Sequence, residues 1–176
     1  MPKRLLVLPL ALLAASATAQ TSHNSNAPID FAADQIELQD RANRAVLLGN
    51  VNVRQAEMSL QAARMTVIYT GRVIGGNPQV SRLDAAGGVV VRRPDQTARS
   101  NYAVYDLNKR IITMVGGVTL TQGSNTVRGG RLTINLDTGR AVIDGSSVRG
   151  GGAAGGNVTT TPTGRVTGTF SVPKRN

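Results

Sequence analysis

A unit built around one glycine recurs along this chain and narrows what it can fold into. RAVLLGNVNV at 44–53 returns as RLDAAGGVVV at 82–91, as RIITMVGGVTL at 110–120 and in part as RAVIDG at 140–145. The glycines Gly49, Gly87, Gly116 and Gly145 stand 38, 29 and 29 residues apart. Each unit reads as a strand, a glycine bend, a second short strand and a return. Glycine at the bend permits a sharp turn where a side chain would clash, as at a bulge or a barrel corner. No helix follows to supply a positive N-terminus, so these glycines are structural and not a phosphate loop. A repeat this short cannot bury its own apolar face, and successive units must stack.

Between the bends the residues alternate. Val51 and Val53 flank Asn52, Val118 and Leu120 flank Thr119, and Leu132, Ile134 and Leu136 flank Thr133 and Asn135. Period-two alternation puts aliphatic side chains on one face and Thr, Asn, Gln and Arg on the other. Gly, Asn, Asp and Pro punctuate the runs as turns do in all-β chains. The stretch from Ala56 to Thr66 comes nearest to a helical pattern, but it passes directly into MTVIYT and reads as strand. The expectation is an all-β domain over 28–148: a sandwich, a barrel or an open folded sheet.

The chain opens with Lys3 and Arg4, an apolar run from Leu5 to Ala15, and then Ser16-Ala17-Thr18-Ala19. This is the layout of a secretory signal peptide over 1–19, with cleavage expected after Ala19. Eleven apolar residues span only about 16 Å as a helix, roughly half a bilayer core. QTSHNSNA at 20–27 is polar and aperiodic and is expected to be disordered, with His23 a solvated tail residue. RGGGAAGGNVTTTPT at 149–163 reads as a Gly-rich linker. The remainder, 164–176, reads as a last edge strand followed by a basic tail.

Composition then removes function classes. The chain has 176 residues and no Cys, and its single histidine is His23. Thiolate zinc sites, Cys nucleophiles and His clusters are therefore out, and Ser-His-Asp chemistry is improbable. The acidic residues number 10 and lie scattered in turns, with no paired carboxylates for acid–base work. No cofactor is implied and no enzyme is expected. The net charge of +10 would suit a nucleic-acid binder, but export and the scarcity of aromatic platforms argue against one. Outside the cytoplasm, the same charge suits anionic lipids and glycans. Most of the cations are Arg, whose fork pairs phosphate and carboxylate; Arg72, Arg92, Arg93 and Arg99 are candidates for anionic sugars.

PIDFAAD at 28–34, LGNV at 48–51 with LQAA at 60–63, YAVYDLNKR at 102–110, GGVTLTQGSNTVRGGRLTINLDTGRA at 116–141 and a terminal GRVTGTFSVPK together resemble the LptA/OstA-like family. Coverage runs from Pro28 to about Gly145, and the ordered series is more specific than any one segment. The resemblance implies an open folded β-jellyroll of many short antiparallel strands. It also implies a periplasmic lipopolysaccharide transport protein that stacks head-to-tail with itself. Such a bridge would join an LptC-like inner-membrane protein to an LptD-like outer-membrane protein and do no chemistry. Gly88 and Gly117 depart from the family's usual Asn after the bend glycine, and Gly130 from a common acidic residue.

A carrier of lipid A needs an aliphatic trough, because exposing each methylene costs about 0.8 kcal/mol. By alternation the trough candidates are Ile29, Phe31, Val51, Val53, Met65, Val67, Tyr69, Val89, Val91, Val118, Leu120, Leu132, Ile134 and Leu136. The family match adds Tyr105 and Leu107. Every one of these also suits an ordinary core, so an exported structural or adhesive β-repeat protein without lipid cargo stands as the alternative.

Overall fold

The computed structural model describes residues 23–73, 75–145 and 166–169. The expected leader (1–19) and Gly-rich linker (149–163) lie outside the described residues, as does most of the basic tail. Among the described residues there is no α-helix, and one short 3-10 turn at Asp40–Ala42. Ten strands form one antiparallel sheet: β1 Ile29–Ala32, β2 Gln35–Gln39, β3 Arg44–Gln55, β4 Met58–Thr70, β5 Gln79–Arg92, β6 Thr97–Asp106, β7 Ile111–Gln122, β8 Asn125–Asn135, β9 Ala141–Asp144 and β10 Thr167–Thr169. The order is β1-β3-β4-β5-β6-β7-β8-β10, with β2 also on β3 and β9 also on β8. The chain is an all-β, open antiparallel sheet, as its alternation requires. The segment at 56–66 lies in strand β4 after a tight turn at Ala56.

The long strands are interrupted where the repeat places its glycines. Gly49 and Asn50 stand opposite the single Ala63, between the pairs Leu48↔Arg64 and Val51↔Ala62. Gly87 and Gly88 oppose Asn101, and Gly116 and Gly117 oppose Gly130. Two residues against one is a β-bulge, which bends its strand and increases the twist. The three bulges line up across the sheet and divide it into two leaves. The first leaf holds β1, β10 and the segments 51–55, 58–62, 89–92, 97–100, 118–122 and 125–129. The second holds β2, β9 and the segments 44–48, 64–70, 79–86, 102–106, 111–115 and 131–135.

The residue after each bend glycine also has a left-handed backbone, with φ of 44° at Asn50, 59° at Gly88 and 62° at Gly117. Asn and Gly both tolerate that region. The two departures from the family pattern therefore keep the bulge intact. At Gly49 (φ 73°) a Cβ would fall 2.3 Å from the Asp34 carboxylate. Asp34 accepts a hydrogen bond from the Asn50 amide at 2.9 Å, and its own N–H donates to the Gly49 carbonyl at 3.0 Å. The corner between β1 and β2 is thus fastened onto the first bulge.

The leaves face each other. On a flat sheet Gln55 and Tyr105 would lie on opposite sides of the bulge line, roughly 30 Å apart along the strands. In the structure the Tyr105 hydroxyl donates to Gln55 Oε1 at 2.7 Å. The sheet has closed like a book about the bulge line, with its hairpin turns brought together along the opposite side.

One expectation is corrected. Residues 23–27 are a pair of tight turns, with Ser25 N–H on the His23 carbonyl (3.0 Å) and Ala27 N–H on that of Asn24 (3.1 Å). His23 is buried, at 7% exposure, because Gln55 offers it a hydrogen-bond partner at 3.2 Å. A polar composition without periodicity cannot reveal a partner that lies 32 residues away.

Candidate functional site

Alternation on both leaves turns one side chain in two toward the space between them. From the first leaf come Val51, Val53, Leu60, Val89, Val91 and Val118; from the second come Leu47, Met65, Val67, Leu83, Ile112 and Met114. These belong to one continuous apolar cluster, brought together by the facing of the leaves rather than by sequence proximity. Most central members are at or below 2% exposure, so each contributes roughly 1.5–3 kcal/mol of burial.

The structure gathers the sequence candidates almost completely. Val51, Val53, Met65, Val67, Tyr69, Val89, Val91, Tyr105, Val118, Leu132, Ile134 and Leu136 are all buried in this cluster. Ile29, Leu107 and Leu120 are partly buried against it. Phe31 differs: it pairs with inward-facing Val53 yet is 46% exposed, because β1 is an edge strand with nothing beyond it. Sequence reading missed Leu47, Leu60, Leu83, Ile112 and Met114. For Ile112 and Met114 the reason is plain, since Ile111, Ile112, Met114 and Val115 fill both parities and hide the period. Their register partners Ile134 and Leu132 were legible because polar residues separate them.

Among the described residues three polar side chains are buried: Ser100 stands beside the second bulge, and His23 and Gln55 lie on the side away from the bulges. Gln55, the next period-two position after Val51 and Val53, is 2% exposed. Its Oε1 accepts from Tyr105 and sits 3.2 Å from His23 Nε2; its Nε2 donates to the carbonyls of Ser25 and Ala27, each at 3.0 Å. Burial pushes the Tyr105 phenol up to about 12 despite its hydrogen bond to Gln55 and the nearby Arg110 charge. It therefore stays neutral and remains a donor at ordinary pH. Tyr69, at the same side, is raised by burial and then by Asp40, to which its hydroxyl donates at 3.3 Å. Asp106, the last residue of β6, is lowered chiefly by the Lys109 backbone N–H that donates to it at 3.0 Å.

Of the candidate arginines, Arg92 donates to the Gln61 side chain. Arg99 is the third residue of β6, near the strand's start, and is exposed between buried Ala98 and Ser100, so it belongs to the outer face. Among the described residues, no group of acidic and His side chains gathers to hold a metal ion. The arrangement is one apolar interior between two leaves, with its central side chains at 0–2% exposure.

A two-leaved open antiparallel sheet around one apolar interior defines a class by its fold, the folded β-jellyroll. A family model described as LptA/(LptD N-terminal domain) LPS transport protein matches residues 30–140, and the chain belongs to that family. An uncharacterized protein of Rhizobium meliloti (strain 1021) is 31% identical over 149 residues, covering 78% of this chain and 80% of its own. The crystal structure of LptH, the LptA homologous periplasmic component of the lipopolysaccharide transport device of Pseudomonas aeruginosa, superposes with a TM-score of 0.65. It is 20% identical and the match covers 85% of this chain and 99% of that one, which supports the fold. The family is one of transport proteins.

Proposed function

We propose that this chain is a periplasmic lipopolysaccharide carrier that holds the acyl chains of lipid A between its two leaves while the sugars stay in water. Export would follow cleavage after Ala19, leaving the jellyroll over 28–148, the linker over 149–163 and the terminal strand as the mature layout. Copies would stack head-to-tail, and the ends of the stack would meet an LptC-like inner-membrane protein and an LptD-like outer-membrane protein. The observation that carries this reading is the single apolar interior that runs from β1 to β9 and is open at both sheet edges. Burying an acyl chain there recovers about 0.8 kcal/mol per methylene, which makes transfer between like interiors nearly neutral and escape into water costly.

The test is site-specific photocrosslinking in cells. A probe at Val118 or Leu120 should capture lipopolysaccharide, and a probe at the intervening Thr119 should not. A folded protein in which neither inward position captures lipid overturns the proposal. One observation favours the alternative, an exported structural or adhesive β-repeat protein: the middle of the interior is closely packed, with Leu47, Met65, Val89, Ile112 and Met114 at 0% exposure. That reading gains if inward probes crosslink only to the protein's own side chains.

A further inference from the structure

The open side of the book, where hairpin turns of the two leaves come together, is crossed by the chain's own N-terminal segment. Residues 23–27 leave the start of β1 on the first leaf and reach the second. Gln55, at the end of β3, holds the carbonyls of Ser25 and Ala27 and meets His23. On the far side the Asn26 side chain accepts a bond from the Arg110 guanidinium at 2.9 Å, and Arg110 also contacts Asp137 at 3.2 Å. Arg110 stands in the turn between β6 and β7. Tyr105, one strand position before that turn, completes the crossing through Gln55.

We infer that residues 23–27 are a strap that closes the side opening of the slot, and that an amphiphile entering sideways must displace it. Three features carry this. All four hydrogen-bonding positions of the Gln55 amide are engaged, two of them by strap carbonyls, so the fastening is one side chain deep. The fastening is polar, while everything behind it is apolar; releasing it exposes the slot without breaking a ladder. The strap itself has no strand partner, since β1 pairing begins at Ile29↔Gln55, so it can detach while the sheet persists. Polar fastenings of this sort give only a factor of a few each, small enough to open at ambient temperature and large enough to bias the closed state.

This inference rests on the carrier reading, and its test separates the two. The variants are Gln55→Leu, which removes the Gln55 bonds to Ser25, Ala27 and His23 but leaves Asn26 on Arg110, and Asn26→Ala, an exposed change that leaves the interior untouched. Hydrogen exchange at the amides of Ser25 and Ala27 should accelerate in both, about fivefold in Asn26→Ala and more in Gln55→Leu, with amides of β4 to β7 unchanged. The rate of association with fluorescently labelled lipopolysaccharide micelles should rise in the same order. A loosened strap with an unchanged or slower association rate overturns the strap as gate, while saturable binding by the parent protein keeps the carrier reading standing. Absence of saturable binding in the parent protein overturns both. Should Gln55→Leu fail to fold, Asn26→Ala alone decides the matter.

Discussion

At its first edge the sheet leaves Phe31, Ile36 and Leu38 exposed at 46%, 45% and 54%, and all three point the way of buried partners on β3: Val53, Leu47 and Ala45. The last edge is made of shorter pieces, Ala141–Asp144 on one leaf and Thr167–Thr169 on the other. There the inward positions are Ala141 and Ile143, with Ile143 already packed against the core. Both edges expose strand backbone; among the described residues the first edge carries three large exposed side chains on inward positions, and the last carries Val166, just before β10, at 42% exposure. Unlike ends favour heterologous contact, in which one end of a copy meets the other end of the next and growth does not close. Full symmetry would have required matching surfaces at one end.

The contrast can be broken most strongly through stability. Leu47 and Ile36 are direct cross-strand partners, one fully buried and one half exposed. Leu47→Ala should cost about 2–5 kcal/mol, whereas Ile36→Ala should cost under about 1 kcal/mol. Urea midpoints at unchanged slope measure both, and equal losses would mean that the first edge is as closed as the centre.

Association gives the next largest effect. If copies stack head-to-tail as proposed, Phe31→Asp, which places a carboxylate on the apolar edge, should leave monomer stability within about 1 kcal/mol while abolishing concentration-dependent self-association. Sedimentation at rising concentration measures this. Association that survives the substitution would remove the first edge from the contact.

The smallest effect concerns the open side and not the edges. Because the folded Tyr105 phenol titrates near 12 against an ordinary 10.0, the folded state retains a proton that the unfolded chain has lost. Its contribution is full below pH 10 and is lost as pH rises through about 12. Tyr69 is shifted the same way, so Tyr105→Phe should lessen the alkaline loss without abolishing it. Chemical denaturation between pH 9 and 12 would show this, and an unchanged slope would place Tyr105 outside the buried fastening.

Much of the fold was legible because a strand's side-chain period is two regardless of context. Leu132, Ile134 and Leu136 could be assigned to one face from their polar neighbours alone, and the bend glycines from their recurrence before Val51, Val89 and Val118. The candidate interior was equally legible wherever polar and apolar residues alternate, and illegible where they do not, as at Ile111 to Val115.

Gln55 shows the limit from the other direction. Its parity placed it inward, but chemistry made an inward glutamine look like an exception to the pattern. His23 gave no local signal at all. Both are explained by a contact between leaves, and that contact exists only because three bulges line up and close the sheet.

The sequence by itself determined the strands, their inward faces and the bends, since alternation and backbone freedom are local properties of residues. The tertiary structure alone decided which inward faces meet, that the two ends of the sheet differ, and that a polar stretch before β1 lies buried across the open side. Those outcomes depend on long-range register and on the folding of the whole sheet about its bulges, which no short window of residues encodes.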